Sequence, residues 1–137
     1  MKKKSVINTE QYPMKPDACA LNYVQIMLNK TKNNQHLALT VFEKLFNELP
    51  LQIIGINDAL RNNQYDLAQE ITHKLHGSAS FCGLTDIQQS ANAMENDLLN
   101  NNYIAINQRF LMLQQHISTF THHQEFILTI LNKHINQ

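Results

Sequence analysis

The segment HLALTVFEKLFNELPLQIIGINDALR, residues 36–61, decides the fold class of this chain. Its apolar side chains recur at intervals of three and four residues, the period of one face of an α-helix. Pro50 lies inside the segment and lacks a backbone N–H, so we expect it to kink the helix or split it in two. The predicted buried stripe is Leu37, Val41, Phe42, Leu45, Phe46, Leu49, Ile53, Ile56 and Leu60.

Four more segments with helical periodicity flank this one, and polar, asparagine-rich turns separate them. Short turns make consecutive helices antiparallel neighbours. The sequence therefore predicts an all-α fold, an antiparallel up-down four-helix bundle with a short additional N-terminal helix. The other predicted helices are 18–30 with Asp17 as N-cap, 64–82 closed by Gly83, 85 or 86 to 100, and 103–134 with a break near 121–123.

Length and composition indicate one globular domain, because the chain has 137 residues and 43% of them are apolar. Residues 1–16 are polar, contain two prolines and show no periodicity. We therefore expect a flexible N-terminal segment at 1–16 followed by a helical domain at 17–137. On the third helix, 64–82, the predicted buried stripe is Leu67, Ala68, Ile71, Leu75, Ala79 and Cys82.

The charge pattern argues against a nucleic-acid partner, since basic and acidic residues number 11 each and the only basic run is Lys2-Lys3-Lys4. No stretch approaches 18 consecutive apolar residues, and no apolar segment follows the N-terminal lysines. We thus expect neither membrane insertion nor a secretory signal, and a cytoplasmic location. Two cysteines are too few for a disulfide framework.

The chemistry is concentrated on the face of the third helix opposite the buried stripe, where His73, His76, Gly77 and Ser80 fall. A neutral imidazole has a nitrogen with a free lone pair, which can attack phosphorus. A glycine within a helix costs about 1 kcal/mol relative to alanine. Gly77, one turn after His73, therefore indicates that another molecule approaches the ring closely.

The string Thr72-His73-Lys74-Leu75-His76-Gly77-Ser78-Ala79, followed by Gly83-Leu84, resembles the histidine-containing phosphotransfer (HPt) domain family. That family has the pattern H-x-L-K/H-G, then a small-residue run, a glycine and an apolar residue, with Glu or Gln on the next helix. The variant H-K-L-H-G looks most like the C-terminal HPt module of BarA-type hybrid sensor histidine kinases. The resemblance spans about residues 20–131.

The resemblance implies a phosphorelay carrier without autonomous catalytic activity, in which His73 is the phosphoacceptor. A receiver-domain aspartate of a hybrid sensor kinase would donate the phosphoryl group, and a response-regulator aspartate would receive it. No cofactor is implied for this chain; Mg²⁺ is expected on the partner receiver domain only. The family expectation is a monomer, either free-standing or the cytoplasmic C-terminal part of a membrane-bound sensor kinase.

Other residues receive roles from the same reasoning. Glu95, on the fourth helix, is the candidate acceptor for one nitrogen of His73, and Lys74 and His76 are candidate cations for the phosphoryl oxygens. The predicted partner-binding patch consists of Ser80, Phe81, Gly83 and Leu84.

Two alternatives to a phosphorelay carrier remain open at the level of sequence. One is a helical module that docks receiver domains without phosphoryl transfer. The other is a helical metal-binding protein that uses His73 and His76, although this i, i+3 pair supplies only two ligands and no further pair completes a site.

Overall fold

The computed structural model describes residues 18–135, and this part of the chain is helical and contains no strand. The predicted all-α fold class is therefore confirmed. The expected flexible segment at residues 1–16 and the expected N-cap at Asp17 lie outside the described residues. Six helices occupy the described range: α1 Ala18–Lys30, α2 Gln35–Arg61, α3 Tyr65–Cys82, α4 Thr85–Leu99, α5 Ile106–Thr121 and α6 Gln124–Ile135.

Helix α2 is continuous through Pro50, so the predicted alternative of a split helix is wrong. The reason is packing on both sides of the proline. Leu49 before it and Ile56 after it are both buried, and tertiary burial of one stripe holds the two halves in a single helix. At its start, the Asn34 side chain accepts a hydrogen bond of 3.0 Å from the Leu37 backbone N–H, which caps the helix.

The helices pack around one core, in which α3 contacts α4 and α2, α4 contacts α5, and α2 contacts α6. Helices α5 and α6 together occupy the predicted last helix, and the predicted break near 121–123 is confirmed. Phe120, at the end of α5, has its ring centroid 4.9 Å from Phe46 of α2 and 5.0 Å from Tyr23 of α1. The additional N-terminal helix α1 lies against α6, α2 and α3.

The buried stripes differ from the prediction at the first turns of α2 and α3. Leu37 and Leu67 are exposed, whereas the alanine that follows each of them is buried. On α3 the buried set is Ala68, Thr72, Leu75, Ala79 and Cys82, and Leu67 lies about 100° around the helix from Ala68. Thr72 can be buried because its hydroxyl donates a 2.7 Å hydrogen bond to the Ala68 carbonyl.

The turn between α3 and α4 is a Schellman motif. Gly83 adopts a left-handed conformation with φ of 73°, and its N–H bonds the Ser80 carbonyl. The Leu84 N–H bonds the Ala79 carbonyl at 2.9 Å, and the Leu84 side chain is buried. The chain reverses direction within two residues, so α4 returns along α3.

Two other turns, between α2 and α3 and between α4 and α5, are joined by a pair of aromatic rings. Tyr65 and Tyr103 stack with centroids 3.9 Å apart and planes at 10°. Each tyrosine hydroxyl donates to an asparagine side chain two residues earlier, Asn63 and Asn101 respectively. Both asparagines have φ of 56°, the left-handed conformation that asparagine tolerates better than most residues.

None of the helices within residues 18–135 combines the length and the apolar character needed to cross a bilayer.

Candidate functional site

Three polar side chains of α3 converge on one carboxylate of α4. Gln69, His73 and His76 are separated by four and three residues, so they lie on the same side of the helix, next to the buried stripe and facing α4. His73 Nδ1 lies 2.6 Å from Glu95 Oε2, and His76 Nδ1 lies 3.0 Å from Glu95 Oε1. The Gln69 amide donates to Glu95 Oε2 at 3.3 Å.

Glu95 is buried, with 7% of its surface exposed, which is unusual for a carboxylate. Its neighbours on α4 explain the burial, since Met94, Ala91 and Leu98 fix that side of the helix in the core. A buried carboxylate is tolerated when its oxygens accept hydrogen bonds. Both oxygens of Glu95 do so here, because each faces a histidine.

The hydrogen bonds assign the tautomers of the two histidines. A carboxylate accepts hydrogen bonds and donates none, so the proton in each contact lies on Nδ1, and in the neutral ring the lone pair is then on Nε2. The side chain of His73 is 69% exposed, whereas that of His76 is 24% exposed. The arrangement therefore presents an accessible nucleophilic nitrogen, Nε2 of His73. The hydrogen bond from Nδ1 to Glu95 holds the orientation of this ring.

Open space adjoins this ring on the outer side of α3. A Cβ atom added at Gly77 would meet no atom within 4 Å, and Ser80, one turn after His76, is exposed. A groove of about 530 Å³ between α2 and α3 borders Gly77, with Val41, Lys44 and Phe81 among its lining residues. The exposed ring of His73 is therefore followed, one turn along α3, by open space at Gly77 and by a partly apolar groove that borders this glycine.

Comparison with known proteins gives one decisive result. The family model described as Hpt domain matches residues 40–122. This chain belongs to the Hpt domain family. The match covers nearly all of α2, together with α3, α4 and α5, and thus every residue of the Glu95 cluster. Comparison with curated proteins and with solved structures gives no significant match.

Membership of the Hpt family means histidine phosphotransfer in a phosphorelay, with receiver domains and response regulators as interaction partners. Hpt domains are carriers of the phosphoryl group and not, in general, catalytic enzymes. Within residues 18–135 no group of three or more His, Cys, Asp or Glu side chains is arranged to hold a metal ion.

The structure of this Hpt domain brings together His73, His76 and Glu95. The contact between His73 and Glu95 was predicted, whereas the contact between His76 and Glu95 was not. Lys74 is exposed and lines the groove, away from the hydrogen bonds to Glu95. Ser80 and Phe81 are exposed on the outer side of α3, where partner-binding residues were predicted.

Two members of the predicted partner-binding patch lie elsewhere. Leu84 is 3% exposed, because the Schellman turn directs its side chain into the core, so its assignment to a surface patch is wrong. Gly83 faces α1: a Cβ atom there would lie 2.7 Å from Ile26 Cγ2. Its backbone conformation and the close approach of α1 account for this glycine.

Gln69 was not among the predicted site residues, although its position four residues before His73 places it on the same side of the helix. The positions of Val41 and Lys44 at the groove, which they reach from α2, were not predicted either. Their proximity to α3 depends on how the two helices pack, and helical periodicity alone does not specify that.

Proposed function

We propose that this Hpt domain is a phosphorelay carrier that accepts a phosphoryl group on Nε2 of His73 from a receiver-domain aspartate and passes it to a response-regulator aspartate. The observation that carries the proposal is the exposed His73 ring, whose Nδ1 is held 2.6 Å from the buried Glu95 carboxylate. In the neutral ring this contact places the proton on Nδ1, so the lone pair lies on the other nitrogen, Nε2.

The transfer step requires little covalent work from the protein. The Nε2 lone pair forms a bond to phosphorus while the bond between phosphorus and the aspartate oxygen breaks, and the aspartate carboxylate leaves with that electron pair. The proton stays on Nδ1, so the ring of His73 becomes positively charged. Glu95 Oε2 faces that proton and stabilises the charge, as a carboxylate does for the histidine of a serine protease triad.

The partner surface proposed here consists of Gly77, Ser80, Phe81 and Lys74 around His73. Gly77 admits the donor loop, the exposed Phe81 ring supplies apolar contact, and Lys74 supplies positive charge near the phosphoryl oxygens. Transient signalling interfaces are small, so a few residues around His73 can form a large part of one.

The donor, the cofactor requirement, the oligomeric state and the location of this domain follow the pattern of the BarA-type proteins that it resembles. The donor is the receiver domain of a hybrid sensor kinase of the BarA type, and Mg²⁺ is bound by the receiver alone, so this chain uses no cofactor and has no autonomous activity. The domain acts as a monomer in the cytoplasm, without a nucleic-acid partner. Its helices form the antiparallel four-helix arrangement, with α5 and α6 as a broken fourth helix.

Incubation with receiver domains carrying a labelled aspartyl phosphate tests the proposal. The label is expected on this protein, in a form that is labile in acid and stable in alkali, and it should disappear in His73→Gln. His36→Gln is the matched control, because His36 is an exposed histidine in the first turn of α2.

Labelling that survives in His73→Gln would contradict the proposal. A receiver that binds the protein tightly but never transfers its phosphoryl group would support the docking module instead.

A further inference from the structure

His76 occupies the position where the Hpt family often has lysine, but its contacts differ from those of a free cation. Its side chain is 24% exposed, and its Nδ1 is 3.0 Å from Glu95 Oε1. The ring therefore faces the carboxylate of α4, while the neighbouring ring of His73 extends into solvent.

The two oxygens of Glu95 are divided between the two histidines. Oε2 accepts from His73 and from Gln69, and Oε1 accepts from His76. Rotation about the last side-chain torsion of a glutamate is soft, so a single hydrogen bond does not fix the plane of its carboxylate. A donor on each oxygen does fix that plane, and it keeps Oε2 directed at His73.

We propose that His76 is a positioning residue, which acts on phosphoryl transfer through Glu95 and does not contact the phosphoryl group. Its Nδ1–H holds Oε1, and Gln69 assists on Oε2, so that the carboxylate orients the His73 ring and meets the positive charge formed there. The inference rests on the proposed function, since it assigns a role within the same transfer step.

Two amide replacements separate this role from direct phosphoryl contact. The side-chain nitrogen of asparagine is the same number of bonds from Cα as histidine Nδ1, whereas that of glutamine matches Nε2. Asparagine at position 76 therefore keeps a donor at the place of Nδ1, which faces Glu95. Glutamine keeps a donor at the place of Nε2, the nitrogen that a contact with the phosphoryl group would use. Lysine restores the cation of the family pattern.

The experiment measures the rate of transfer from a phosphorylated receiver to wild type and to His76→Leu, His76→Asn, His76→Gln and His76→Lys. Loss of an orienting partner typically costs 10–100-fold in metal sites, so we expect His76→Leu to slow transfer about tenfold. His76→Asn should recover most of the rate, and His76→Gln and His76→Lys should recover less. His116→Leu is the matched control, because His116 is a half-buried histidine of α5.

A second readout uses the protein without phosphate. Nitrogen NMR of the His73 ring at about pH 8, where a typical imidazole is neutral, reports which nitrogen carries the proton. The Nδ1–H form should dominate in wild type and His76→Asn and should decline in His76→Leu and His76→Gln. This measurement is independent of the relay, so it remains informative if wild type accepts no phosphoryl group, a result that would refute the proposed function alone.

Equal transfer rates in His76→Asn and His76→Gln, or a faster rate in His76→Lys than in His76→Asn, would overturn the positioning role. So would a tautomer of His73 that is the same in all variants. If His76→Leu fails to fold, the comparison of asparagine with glutamine decides the question, since both keep a polar side chain beside Glu95.

Discussion

The inner and outer faces of α3 place different requirements on their side chains. The inner face carries Ala68, Leu75 and Ala79, which fill space in the core, where apolar replacements that conserve volume are usually tolerated at a cost below about 1.5 kcal/mol. The outer side carries His73 and Gly77, where a particular nitrogen and the absence of a side chain matter. Successive residues of a helix lie about 100° apart around its axis. Residues that stabilise the core and residues that carry the chemistry can therefore occupy different sides of the same helix.

The largest expected effect on stability lies on the inner face. Leu75 is fully buried, so Leu75→Ala should lower the free energy of unfolding by about 2–5 kcal/mol through lost burial and a cavity. Ser80→Ala, on the exposed side, should change it by no more than about 0.5 kcal/mol. Urea unfolding of both variants measures the difference. Similar losses of unfolding free energy in the two variants would show that the inner and outer sides of α3 do not differ in this way.

A smaller effect is expected where α3 ends. Gly83→Ala should destabilise the protein by about 1–3 kcal/mol, because a residue with a side chain is strained at φ of 73° and the new methyl group would press on Ile26. Thermal or urea unfolding measures this loss. A variant as stable as wild type would mean that the turn between α3 and α4 rearranges easily.

The other glycine of this helix should respond in the opposite direction. Gly77→Ala should stabilise the protein by about 1 kcal/mol, because a Cβ atom there meets no neighbour and alanine favours helix more than glycine does. Phosphoryl transfer should nevertheless slow, because the methyl group narrows the approach to His73. Unfolding curves and transfer rates measured on the same preparation test this; a gain in both would show that the partner does not approach over Gly77.

The smallest effect concerns Cys82, at the inner end of α3. Burial raises the pKa of its thiol from 9.0 to about 11, although the ammonium of Lys30 opposes the shift. The folded state thus favours the protonated thiol, and the stability this provides is complete below about pH 9 and is lost as the pH rises towards 11.

At pH 9 the loss is roughly 0.4 kcal/mol, because half of the thiols in the unfolded chain are ionised there. Urea unfolding of wild type and Cys82→Ala at pH 8, 9 and 10 isolates this contribution as the difference between the two pH profiles. Parallel profiles would contradict the assignment of this ionisation to Cys82.

The sequence predicted most of the inner face and the centre of the site, for reasons that are local. Periodicity placed Leu75, Ala79 and Cys82 in the core. The spacing of three residues placed His73 and His76 on the same side of the helix. The buried Thr72 was missed because its polarity hides the fact that its hydroxyl is satisfied within its own helix. Leu67 was misplaced because periodicity gives the direction of a stripe but not its edges.

The features that were not predicted depend on contacts between helices. The groove that borders Gly77 needs Val41 and Lys44 from α2. The burial of Leu84 depends on how the core closes around the turn between α3 and α4. The sharing of Glu95 between two histidines follows only when α4 lies against α3 at this height. Separations of a few residues along one helix are fixed by its geometry, whereas distances between helices are set by the whole core.

The stacked rings of Tyr65 and Tyr103 give this chain an optical reporter. The protein has four tyrosines and no tryptophan, so its near-ultraviolet circular dichroism arises mainly from tyrosine. Two phenol rings 3.9 Å apart and almost parallel should couple strongly and contribute a distinct band. The band should vanish when the α2–α3 and α4–α5 turns separate, which allows this separation to be followed during unfolding of the isolated protein without any added label.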